Sequence, residues 1–107
     1  MRILLLTARD PLQAADVAHP ARLARLLGAT GEEVVLVLLE DAVTLARAGH
    51  AWSDAISAAQ EAGVRVVAEE EALARRAVNR LVAGVKPLAF GEVVNTMFDW
   101  SDRQAWL

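Results

Sequence analysis

The residues with chemistry in them gather in one short stretch. From Gly63 to Val78 the chain reads GVRVVAEEEALARRAV. A run of β-branched residues stops abruptly at three carboxylates, Glu69, Glu70 and Glu71, and arginines follow at Arg75, Arg76 and Arg80. Physically this is a buried strand running out into the first turn of a helix, where the partly positive amino end of the helix favours anions. In open parallel α/β sheets that junction is where ligands usually bind. Asp10 and Asp41 close the first two apolar runs. A sheet placing Asp10, Asp41 and Glu69 on one edge would bring three carboxylates to a cleft. That arrangement suits acid–base work or the binding of a small ligand. The plainer alternative is a solvated helix start followed by a solvated arginine face, or by one that meets an anion or a partner chain.

Much other chemistry is excluded. The chain has no cysteine, so disulfides, thiolate metal sites and a cysteine nucleophile are ruled out. No glycine-rich segment precedes a Lys-Ser or Lys-Thr pair, and no GxGxxG follows the first apolar run, so neither nucleotide fingerprint is present. Ser53, Ser57 and Ser101 do not stand at a strand-to-helix elbow where His19 or His50 would serve them. The two histidines lack ligand-like spacing with Asp10 or Asp41 and read as surface residues. No cofactor is expected. A net charge of −3 gives no general attraction to nucleic acid. No apolar run approaches the ~20 residues of a membrane span. The opening MRILLLT reads as a first strand rather than a signal peptide. A cytoplasmic protein is the expectation.

The elements that must position these residues follow from the apolar pattern. At 107 residues one domain spanning 1–107 is expected, with roughly two-thirds of the unfolded surface buried. Strands are expected at Ile3–Leu6, Glu33–Leu39, Val64–Ala68, Lys86–Phe90 and Arg103–Leu107. The first three are apolar on both faces, as in a covered parallel sheet. Helices are expected over Asp16–Leu27, Asp41–Arg47, Asp54–Ala62 capped by Ser53, Glu70–Ala83, and Gly91–Trp100 with Val93, Val94, Met97 and Phe98 inward. Strands alternating with helices predict a single-domain, three-layer α/β/α fold around a mostly parallel sheet of about five strands. Trp52, Trp100 and Trp106 fit core or edge packing, or a subunit interface.

Four stretches carry a resemblance across most of the chain: ILLLTARDP, VVLVLLEDAVTLARAGH, GVRVVAEEEALARRAV and FGEVVNTMFDWSDRQAWL. Together they resemble the DsrE/DsrF/DsrH sulfur-relay family, which includes the Tus proteins. The last stretch is similar to the DsrH type, where a helix leads to a short strand finishing in tryptophan. Sulfur-carrying members place a cysteine directly after the third strand, some seven residues before an Arg-Gly pair. On that pattern Glu69 stands at the cysteine position, Arg76 matches the arginine, and Ala77 stands where glycine is usual. A carboxylate cannot hold a persulfide. The resemblance therefore implies a non-catalytic accessory or scaffolding subunit of sulfur relay, for instance in tRNA thiolation, more readily than a sulfurtransferase. It also implies a homo-oligomer, or a hetero-oligomer with cysteine-bearing DsrE/DsrF-like chains. A cysteine placed at position 69 is expected to be accessible but poorly activated beside Glu70 and Glu71. The alternative function is a small-ligand module or a carboxylate-using enzyme at the sheet edge.

Overall fold

Three apolar segments and two shorter, more exposed ones assemble into a sheet that is parallel throughout. The computed structural model describes residues 1–11, 16 and 18–107. Its strands are β1 (Arg2–Thr7), β2 (Glu33–Leu38), β3 (Arg65–Glu69), β4 (Lys86–Leu88) and β5 (Arg103–Trp106), in the order β4-β3-β2-β1-β5. All four pairings are parallel. Leu4, Leu5 and Leu6 of β1 and Leu36, Val37 and Leu38 of β2 are completely or almost completely buried. This is what a strand covered on both faces requires. The fifth strand, Arg-Gln-Ala-Trp, is exposed along its whole length as the edge beside β1, and its polar residues suit an edge.

Successive strand residues point to opposite faces, so the sheet divides two cores. On one face Leu5, Leu36, Leu38 and Val66 pack under α1 (His19–Ala29), a 3-10 helix (Glu40–Ala46), α2 (Ser53–Glu61) and α3 (Glu70–Arg75), with Ala24, Ile56 and Leu73 prominent. On the other, among the described residues, the helical cover of Leu4, Leu6, Val35 and Val37 is α4 (Phe90–Asn95) and the π turn that extends it (Thr96–Trp100), through Val93, Met97 and Trp100. The result is the expected three-layer α/β/α fold with one thin layer. Among the described residues no helix is long and apolar enough to cross a membrane.

Several elements differ from the sequence expectation for identifiable reasons. The helix expected from Asp16 begins at His19, with Pro20 in its first turn, where a missing N–H costs nothing. Val17, also within that expected helix, lies outside the described residues. The segment after β2 is a 3-10 helix, with Ala42, Val43, Leu45 and Ala46 buried. Ser53 is not a cap but the first residue of α2, and its hydroxyl donates to the His50 carbonyl at 2.9 Å. The fourth strand stops at Leu88, and α4 begins at Phe90 rather than Gly91. Phe98, expected inward, is 80% exposed. The wider π turn keeps Met97 and Trp100 against the sheet and turns Phe98 out.

The largest departure is α3, expected to run to Ala83 but ending at Arg75. The Val78 N–H donates to the Leu73 carbonyl at 3.0 Å, and the Ala77 N–H to that of Ala74 at 3.2 Å. With Ala77 at φ +52 this is a Schellman ending. Beyond it the chain runs back along the end of the 3-10 helix, with Ala48 N–H donating to Arg80 O at 2.7 Å and Val82 N–H to Ala46 O at 2.8 Å. Val78, Val82 and Val85 are buried from this irregular segment. Their spacing imitates a helix although their backbone is not helical. Alanine at a left-handed position costs about 1–2 kcal/mol, and glycine loses about 0.5–1 kcal/mol more entropy on folding. Ala77→Gly is therefore expected to raise stability by about 0.5–1 kcal/mol. It should appear as a higher urea midpoint at unchanged slope. A lowered midpoint would mean that Ala77 is not held in that conformation.

Candidate functional site at the carboxyl edge of the sheet

The connections of the fold locate the site. The third strand leads into α3 on the face of the larger core, whereas β4 leads into α4 on the opposite face. Connections leaving adjacent strands toward opposite faces open a crevice at the carboxyl ends of those strands. Glu69 and Leu88 are register partners at that point. The stretch singled out from the sequence therefore ends at the topological switch of the sheet.

Glu69 is both the last residue of β3 and the N-cap of α3. Its backbone is still extended, at φ −65 and ψ 127, and its carboxylate accepts from the N–H of Glu71 at 3.3 Å and of Ala72 at 2.5 Å. At 5% exposure it is one of two buried polar residues among those described, the other being Thr7 at the end of β1. A buried carboxylate is tolerable when backbone donors hold it, and these are two of the donors that a helix start leaves without partners. Glu70 and Glu71 follow as exposed residues of the first turn.

A charge network lies on the neighbouring strand end. Arg76, half-buried, donates through Nε at 2.8 Å and through Nη2 at 2.7 Å to one carboxylate oxygen of Asp41. The same guanidinium reaches Glu40 at 3.5 Å, while Arg75 bridges Glu40 at 3.4 Å and Glu71 at 3.8 Å. Glu40 holds φ +48 directly after β2, a conformation uncommon for a residue with a Cβ. Of the residues predicted from sequence, Asp41 and Arg76 are thus in direct contact, and Glu69, Glu70 and Arg76 share α3 and its cap. Asp10 is half-buried in the segment after β1. Among the described residues no three acidic or histidine side chains gather closely enough to hold a metal. Asp10, Asp41 and Glu69 therefore do not form such a cluster. Of the two histidines, His50 packs its ring on Trp52 at 4.5 Å and accepts the Trp52 N–H at 3.3 Å.

Glu40 was not singled out by sequence reasoning, although its place beside Asp41 at the end of an apolar run was the available signal. Two carboxylates of the edge are committed, Glu69 to its own helix and Asp41 to Arg76, and no thiol is present. These pairings hold α3 at the ends of β2 and β3, while Glu70 stands exposed beside them.

The DsrE/DsrF-like family matches residues 1–104. No curated protein matches the sequence. Among solved structures, the ychN protein from E. coli superposes with a TM-score of 0.86 at 19% identity, covering 100% of both chains. MTH1491 from Methanobacterium thermoautotrophicum, a protein of unknown function, gives 0.75 at 19% identity over 99% of this chain and 96% of its own. BT1422 from Bacteroides thetaiotaomicron, a conserved protein of unknown function, gives 0.80 at 13% identity over 99% and 94%. At such identities the likeness establishes the fold.

Proposed function

The chain belongs to the DsrE/DsrF-like family, and from that premise we propose that it is an accessory or scaffolding subunit of intracellular sulfur relay, for instance in tRNA thiolation. The observation that carries this reading is Glu69. It stands where the family resemblance calls for a carrier cysteine, and its carboxylate is spent on capping α3. A subunit without a sulfur-accepting atom acts through what it holds in place. A carboxylate-using enzyme would need a free base at this edge, and the pairing of Glu69 and Asp41 counts against it.

Such a role needs a partner, either a second copy or a cysteine-bearing DsrE/DsrF-like chain. The thin side of the fold supplies a surface for it. Phe90 is 59% exposed, Phe98 80% and Trp106 61%, and aromatic residues concentrate at the centres of interfaces. Native mass spectrometry and light scattering are expected to find an oligomer, or a complex with a cysteine-bearing relative expressed alongside. Phe98→Glu combined with Trp106→Glu is expected to dissociate it while leaving the fold intact, since both side chains are exposed. A strictly monomeric chain that binds no such relative would overturn the proposal.

A further inference from the structure

The opposite, amino edge of the sheet carries a second crevice unrelated to the carrier position. Gly28, Gly31, Val34, Gly63 and Trp100 are among the residues enclosing a cleft of about 430 Å³, within the range of about 300–1,000 Å³ of small-ligand sites. Gly31 at φ +90 and Gly63 at φ +92 have nothing within 4 Å of where a Cβ would stand, so both present bare backbone to open space. Arg65 stands at this cleft with its guanidinium carbon 5.4 Å from the centre of a Trp100 ring. Among the described residues that guanidinium has no hydrogen-bond or ion-pair partner. The two carboxylates lining the same cleft are already engaged, Glu32 by the amino-terminal ammonium at 3.0 Å and Glu33 by Arg2 at 3.3 Å.

With those two carboxylates paired, the unpaired charge at the cleft is the Arg65 guanidinium, which lies over the Trp100 ring. A guanidinium is a fork suited to a carboxylate. The carboxyl ends of α1 and α2, with their partly negative carbonyls, close on the same space. They weigh against any anion, and about twice as much against a dianion such as phosphate as against a single negative charge. The Trp100 ring supplies apolar wall. We infer that this cleft binds a small organic monocarboxylate with an aromatic or aliphatic body. Its carboxylate would meet Arg65, and its body would lie along Trp100.

The test uses the full chain and follows the Trp100 indole N–H by NMR, assigned by comparison with Trp100→Phe. Phenylacetate, inorganic phosphate and tetramethylammonium are titrated separately. A saturable shift with phenylacetate is expected, with affinity about tenfold or more weaker in Arg65→Gln and no comparable response to phosphate. Arg65 is exposed, so its replacement leaves the fold in place. The inference is overturned if phenylacetate gives no saturable response, or if Arg65→Gln binds it as well as the native chain. It is equally overturned if phosphate or tetramethylammonium binds as tightly as phenylacetate. In the last case the Trp100 face alone would be the receptor.

Discussion

Replacing Glu69 by alanine is expected to lower stability by about 1–2 kcal/mol, a fall of about 5–10 °C in Tm. The methyl group cannot accept from the N–H groups of Glu71 and Ala72, which Glu69 now holds in a buried setting. Glu69→Asp keeps a carboxylate at a residue type favoured for N-caps and is expected to recover most of the loss. Thermal melts of the three proteins side by side check this. An alanine variant as stable as the native chain would mean that the cap contributes nothing. Glu69→Cys tests the family position directly. From sequence a thiol here is expected to be accessible but poorly activated. With position 69 only 5% exposed, burial now comes first, and slow labelling by small thiol reagents is expected in the isolated chain. Glu70 and Glu71 further disfavour the thiolate, so Glu70→Gln with Glu71→Gln should quicken the labelling. Rapid labelling of Glu69→Cys alone would show a crevice more open than the structure has it.

Gly28→Ala is expected to destabilise the chain by about 1–2 kcal/mol, against the usual direction of a glycine-to-alanine change within a helix. Alanine would gain up to about 1 kcal/mol of helix propensity. Here, however, the added methyl would lie 2.8 Å from the Ala62 carbonyl oxygen and 3.0 Å from Cγ2 of Val64. The oxygen belongs to the backbone at the end of α2 and cannot swing aside, so α1 and α2 must separate at an overpacking cost of about 1–3 kcal/mol. The urea midpoint should fall while the slope stays constant. A rise would mean that the two helices give way freely. The result bears on the amino-edge cleft too, because the Gly28 contact helps to set its wall.

The alternation of apolar runs with amphipathic segments was enough to determine a parallel α/β sheet of five strands, because a strand buried on both faces has to be apolar throughout. The same reading located the Glu69 junction, since a β-branched run ending in carboxylates is a local signal. The absence of cysteine is likewise a property of sequence alone. What sequence left undecided depends on contacts between distant segments. The end of α3 at Arg75 was hidden because Val78, Val82 and Val85 keep helix-like spacing, whereas the backbone of Arg80 and Val82 hydrogen-bonds to that of Ala48 and Ala46. The π turn that exposes Phe98 has no local signature either. Tertiary structure alone paired Asp41 with Arg76 and set Arg65 over Trp100. Side-chain partners depend on which strand ends become neighbours, and the strand order β4-β3-β2-β1-β5 is set by packing across the whole chain.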